Sequence, residues 1–150
     1  MHGLKLWSAA ASTGMEAYTM AIVLDDMVRS GLRAEFRILG TDISNPVLRM
    51  AQKAIYDIEA ECRVVPELRS RVNFQRMNLM DATYPVDRDV DVIFCRNVLI
   101  YFDKPTQRKV VTRLCSHLRP GGFLLVGHSE SMVQSIVPGL KQVRPTIFTV

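Results

Sequence analysis

Short apolar runs alternate with stretches of helical period along this chain, and few folds accept that order. Residues 4–9 read as a first strand. Residues 15–29 repeat apolar side chains at three and four (Ala17, Met20, Ala21, Leu24, Met27 and Val28) and read as a helix. Residues 36–41 form a second strand. Asn45 is expected to cap a helix, with Pro46 at its first position, running to about Ile55. Residues 72–77 are a third strand. Residues 90–95 are a fourth, a near-continuous apolar run that suits a parallel strand covered on both faces. Asp103 caps a helix that carries Pro105 in its first turn and extends to about Leu118. Arg119-Pro120-Gly121-Gly122 breaks it, and residues 123–127 are a fifth strand. Two further β-segments, 140–143 and 146–150, flank Pro145 and suit an edge hairpin. The alternation predicts an α/β fold with a parallel sheet and right-handed crossovers.

The 150 residues suit one domain, and 48% apolar against 23% charged is an ordinary globular balance. No apolar run approaches the roughly 20 residues needed to cross a bilayer, so no transmembrane segment is expected. The first residues lack the apolar core of a signal peptide. Cys62, Cys95 and Cys115 are widely spaced with no CxxC, which disfavours a disulfide framework and a zinc site; no metal is expected, and a reducing cytoplasm is the simplest setting. The net charge of +4 is scattered rather than gathered into a stripe. That disfavours nucleic acid and suits a partner rich in carboxylates.

In such sheets ligands gather outside the carboxyl ends of the strands. The turn Ser8-Ala9-Ala10-Ala11-Ser12-Thr13-Gly14 is rich in small side chains. It lets a ligand approach the backbone around Ala10, or is simply a tight strand-to-helix turn. It lacks GxGxxG, so it suits a nucleoside without phosphate better than a dinucleotide. Asp42 ends the second strand, where a carboxylate accepts both hydroxyls of a ribose; a turn or capping role is the plainer alternative. Glu16 follows Thr13 by three, as in a capping box, and on spacing alone that role outweighs a ligand contact. Arg96 and Asn97 sit between two apolar runs, where polar groups need partners; a strand-end site is favoured over a buried ion pair or amide bond. Tyr101 either turns its hydroxyl into the same cleft or belongs to the core. His128, Ser129 and Glu130 are consecutive and cannot form a hydrolase triad, so they read as a turn that fixes the cleft wall.

Five segments together resemble one family. WSAAASTG (7–14), TDIS (41–44), VNFQRMNLMD (72–81), DVIFCRNVLIYFDKPTQRKV (91–110) and LRPGGFLLVGHSES (118–131) look like the catalytic domain of CheR, the chemoreceptor glutamate O-methyltransferase of bacterial chemotaxis. The resemblance runs from Leu6 to about Phe148. It implies a Rossmann-like methyltransferase fold over residues 1–150, with seven mostly parallel strands and an antiparallel C-terminal edge hairpin. It implies S-adenosylmethionine as cofactor, S-adenosylhomocysteine as product, and a methyl-accepting chemotaxis receptor as partner. Carried over by residue, Glu16 and Asp42 match acidic cofactor-binding positions. Asn78 and Leu79 match the pair beside the adenine, and Arg96 and Asn97 match the fourth-strand cofactor contacts. This makes Glu16 a cofactor ligand rather than a cap. Arg96 and Tyr101 are the residues expected to act at the methyl-transfer centre.

Departures accompany the match. The family's GEEPYS pattern is replaced by Gly14-Met15-Glu16-Ala17-Tyr18-Thr19. The family also carries an N-terminal helical domain that supplies an Arg and further polar contacts to the cofactor, and this sequence begins almost at the first strand. Members that tether to a receptor tail carry a β-subdomain after the second helix; residues 57–71 are too short for one, so tethering by that route is not expected. The chemistry needs no general base, because a glutamate with a reference pKa of about 4.3 is already an ionised nucleophile. The alternative is a non-catalytic module that binds S-adenosylmethionine, S-adenosylhomocysteine or a protein partner.

Overall fold

The first strand, β1 (His2–Ser8), pairs in parallel with β2 (Ala34–Asp42), and β2 pairs in parallel with β5 (Val72–Arg76). These coordinates come from a computed structural model, which describes residues 2–57, 61–130 and 133–150. The residues fall into two compact units, 1–77 and 78–150.

In the first unit, α1 (Met15–Arg29) connects β1 to β2, and α2 (Asn45–Lys53) follows β2. The strand order is β5-β2-β1, all parallel. Helix α1 buries Ala17, Tyr18, Met20 and Ala21. Its apolar period does not stay buried: Met27 is 47% exposed, beside exposed Ile22 and Val23. The Tyr18 ring meets Phe74 edge-on at 5.6 Å, and its hydroxyl donates to the Ala51 carbonyl at 2.9 Å. Trp7 is fully buried, and its Nε1–H donates to Thr41 Oγ1 at 3.0 Å. The Thr41 hydroxyl in turn donates to the Ala9 carbonyl, so both buried polar groups are satisfied.

Helix α2 starts one residue from the expectation. Ser44 is its N-cap and Asn45 already lies within it, with Pro46 in the first turn. It ends at Lys53 rather than near Ile55, because Ala54 takes a left-handed φ of 54°. Two short strands, β3 (Ile55–Asp57) and β4 (Glu61–Arg63), pair antiparallel, and α3 (Pro66–Arg69) follows. This small ribbon was absent from the sequence reading; three-residue strands are too short to carry a period.

In the second unit, β6 (Val90–Cys95) pairs in parallel with β7 (Leu118–Val126), and α4 (Lys104–Cys115) connects them. The order is β6-β7-β9-β8. Strand β9 (Ile147–Thr149) runs antiparallel to both β7 and β8 (Lys141–Arg144). The expected edge hairpin is thus present. A short helix, α5 (Val133–Ile136), precedes it. Besides the β3–β4 ribbon, three strands in the first unit and four in the second account for the seven that the resemblance implies. The Asp103 cap is also present: its carboxylate accepts the Thr106 N–H at 2.9 Å. Helix α4 stops at Cys115, however, and Leu118 belongs to β7. The Arg119-Pro120-Gly121-Gly122 segment is not a break before the strand but an irregularity within it. The register slips there, with Val90 opposite Leu118 and Val92 opposite Phe123. Val110, Val111, Leu114, Leu124 and Phe148 make the core of this unit, each at most 1% exposed.

Candidate functional site

The first unit presents its strand ends as one stitched surface. After β1 the chain passes Ala9 and Ala11, both buried, with Ala10 between them half-buried. The Ala11 N–H donates to the Thr41 carbonyl at 2.8 Å, tying this turn to the end of β2. Ser12 then takes a left-handed φ of 51°, rare for a side chain with a Cβ. Its N–H donates to Asp42 Oδ2 at 2.9 Å, while Asp42 Oδ1 accepts the Ser44 N–H at 3.0 Å. The turn role foreseen for Asp42 is therefore real. An ionised carboxylate offers about four lone-pair sites, so two backbone donors leave acceptor capacity for two hydroxyls.

Glu16, in the first turn of α1, accepts the buried Ser8 hydroxyl on Oε1 at 2.7 Å. The N-cap of this helix is Gly14, with no side-chain cap bond. Gly14 is required by packing as well as by backbone. Its φ is 88°, and a Cβ there would meet the Ala51 Cβ at 2.8 Å and Phe74 at 2.9 Å. The smallness of this turn thus serves helix packing at Gly14 and leaves the backbone accessible near Ala10 and Ser12.

The second unit holds the remaining candidates in two loops. Asn78 makes a tight turn, its Oδ1 accepting the Met80 N–H at 2.9 Å. Leu79 is buried, and its carbonyl accepts the Tyr84 hydroxyl at 2.7 Å. Burial pushes the Tyr84 phenol up to about 12, against a smaller opposing pull from Arg113. In the other loop, Arg96 and Asn97 follow β6. Both are exposed, which removes the alternative of a buried ion pair or amide bond: the chain leaves the sheet at Cys95. Asn97 takes a left-handed φ of 62°. Leu99–Tyr101 forms a 3-10 turn that buries Leu99 and leaves Tyr101 79% exposed. Tyr101 is therefore no core residue.

One residue organises that loop, and its weight was not legible beforehand. Glu130 is buried, 5% exposed. Its Oε2 accepts the N–H groups of Val98, Leu99 and Ile100, and its Oε1 those of Asn97 and Gly127. Five backbone donors neutralise one carboxylate and hold residues 97–100 as an open crescent. Gly127 is obligatory beside it, since a Cβ would lie 2.6 Å from Asn97 Oδ1 and 2.8 Å from Glu130 Oε1. The expected turn is present as a 3-10 turn over His128–Glu130, but a Glu after GHS carried no sign of five partners. His128 and Ser129 are exposed.

The first unit thus offers a carboxylate with spare acceptor capacity beside a glycine turn, which suits the hydroxyls of a nucleoside. The second unit offers an exposed guanidinium at Arg96 and an exposed phenol at Tyr101. Among the described residues, no His, Cys, Asp and Glu cluster is placed to hold a metal ion.

The chain is 38% identical over 154 residues to chemotaxis protein methyltransferase 2 of Pseudomonas aeruginosa, covering 88% of this chain and 55% of that protein. It is 41% identical over 152 residues to the chemotaxis protein methyltransferase of Klebsiella aerogenes, covering 86% and 52%. The chain therefore spans about half the length of the curated relatives it matches. Among solved structures it is similar to phosphoethanolamine N-methyltransferase 1 of Haemonchus contortus in complex with phosphoethanolamine and S-adenosylhomocysteine. There the TM-score is 0.61 at 12% identity, covering 84% of this chain and 22% of that one, a likeness of fold alone. The family described as CheR methyltransferase, SAM binding domain, matches residues 1–61 and 58–146, and the chain belongs to that family.

Proposed function

We propose that this chain is an S-adenosylmethionine-dependent O-methyltransferase that forms methyl esters on glutamate side chains of methyl-accepting chemotaxis receptors, acting as one domain in the cytoplasm. The observation that carries the reading is the family match over both units, joined to the strand-end carboxylate of Asp42 with its spare acceptor capacity.

When bound, S-adenosylmethionine supplies an electrophilic methyl group on a sulfonium. Asp42 accepts the ribose hydroxyls, and Glu16, steadied by Ser8, faces the amino-acid end. Ala10 gives close backbone approach. Asn78 and Leu79 flank the adenine, their turn held by the Tyr84 hydroxyl. Asn97 orients the cofactor from the second unit's loop. Arg96 attracts and aligns the substrate carboxylate, and Tyr101 donates a hydrogen bond to its spectator oxygen. The carboxylate is itself the nucleophile, so no residue has to remove a proton. Alignment of the two reacting centres is the main contribution asked of the protein.

The test has two stages. Calorimetry with S-adenosylhomocysteine measures cofactor binding; release of methanol from base-labile esters on receptor measures transfer. Binding without ester formation, even when the N-terminal helical domain of a relative is fused ahead of the chain, favours a non-catalytic binding module.

A further inference from the structure

Helix α4 carries four cations and no acid: Lys104, Arg108, Lys109 and Arg113. That equals the +4 excess of the whole chain. All four line a groove of about 770 Å³, with Thr112 and, from the segment of α5, Ser135. Lys104, Arg108 and Lys109 are exposed. Among the described residues, no hydrogen bond or ion pair engages Lys104 or Arg108. The acid next in sequence, Asp103, caps the helix through the Thr106 N–H and attracts Lys109, one acid against the helix's four cations. Arg113 is held differently: its Nη1 donates to the Asp81 carbonyl at 2.9 Å, which fixes one end of the groove.

Arg113 aside, whose carbonyl bond and place in the last turn favour the fold, the helix gains little from these charges. Lys104/Arg108 and Lys109/Arg113 are like-charge pairs four residues apart, which oppose helix formation. Lys104 also places a cation in the first turn, where the helix dipole disfavours it. Charges that cost helix stability and line a concave face are accounted for by something that neutralises them.

We propose that the α4 groove docks a carboxylate-rich protein segment, the acidic stretch that flanks the glutamate to be methylated; in naming that partner the proposal rests on the methyltransferase reading above. Helix α4 begins three residues after Tyr101, so the groove is continuous in the chain with the loop assigned to the substrate carboxylate. The chemistry favours a peptide over two other polyanions. No large apolar side chain of α4 is exposed to enter a lipid surface, and no aromatic ring lines the groove to stack on a nucleobase.

The test uses fluorescence anisotropy of a labelled deca-glutamate peptide with the full chain. Arg108→Gln/Lys109→Gln is compared with Arg33→Gln/Arg37→Gln, a pair outside the groove that removes the same charge. The groove variant is expected to lose about tenfold in affinity and the control less than about twofold, with binding weakened by salt. Equal losses in the two variants reduce the effect to net charge and overturn the proposal. Tighter capture by phosphatidylglycerol vesicles or by labelled single-stranded DNA than by the peptide overturns it too. S-adenosylhomocysteine affinity, measured by calorimetry, is expected to be unchanged in both variants. Absence of that binding in the unsubstituted chain would count against the methyltransferase reading and leave the peptide result standing.

Discussion

Glu130 and Asn97 stand 33 positions apart, yet Glu130 Oε1 accepts the Asn97 backbone N–H at 2.6 Å. The bond holds Asn97 in its left-handed conformation, and the same carboxylate takes the next three amides. The loop assigned to the substrate carboxylate is thereby set by a side chain that need not touch substrate. Glu130→Gln presents an NH₂ group to donors that need an acceptor. It is expected to cost about 2–4 kcal/mol of stability, read from urea denaturation. An unchanged midpoint would mean that the amides find water instead.

Asp42→Ala removes the charge-assisted bonding expected with the ribose hydroxyls, a net loss of about 1.5–3 kcal/mol once water replaces the carboxylate. S-adenosylhomocysteine affinity should fall roughly ten- to a hundredfold. The Ser12 and Ser44 amides it releases belong to an exposed and a half-buried residue, so water can replace the carboxylate there. Calorimetry on a variant with a retained circular dichroism spectrum decides the matter. Equal affinity would place the ribose elsewhere.

Two glycines separate packing from backbone strain. Gly14 and Gly31 both have positive φ, 88° and 115°. A Cβ at Gly14 collides with Ala51 and Phe74, whereas one at Gly31 meets nothing within 4 Å. Gly14→Ala is expected to destabilise by about 2–4 kcal/mol and Gly31→Ala by about 1 kcal/mol. Similar thermal shifts for both would show that packing around Gly14 relaxes.

Much of this was legible in the sequence, for identifiable reasons. Helix α1 repeats apolar side chains at three and four and strand β6 is a near-continuous apolar run, and their observed bounds are those expected. The place of Asp42 at the end of β2 and its turn bonds were legible, because a polar residue closing an apolar strand marks the turn that follows. Arg96 and Asn97 were placed correctly after β6, but their exposure was left open against a buried pairing, since a linear apolar neighbourhood says nothing about where the chain turns outward. The β3–β4 ribbon and the slip in β7 depend on pairing partners far along the chain. Glu130 depends on five amides gathered by tertiary structure. Local composition records none of these.

The carbonyl of Leu79, one of the two residues proposed beside the adenine, is held by the Tyr84 hydroxyl at 2.7 Å, and this anchor has a pH signature. Burial raises the Tyr84 phenol from 10.0 to about 12. The unfolded chain therefore loses that proton first as pH rises. Between pH 10 and about 12 the folded state binds more protons than the unfolded state, so the stability slope is negative. The contribution is complete below pH 10 and is lost as pH rises through about 12. Cys115, whose thiol burial raises from 9.0 to about 12, adds a loss of the same sign that begins near pH 9. Tyr84→Phe should cost about 1 kcal/mol at neutral pH, for the lost hydrogen bond. It should also flatten the alkaline decline that remains in a Cys115→Ser background. Urea midpoints across this range, for the single and double variants, measure both effects. Parallel curves with and without the Tyr84→Phe substitution in that background would show that the phenol does not carry the alkaline loss.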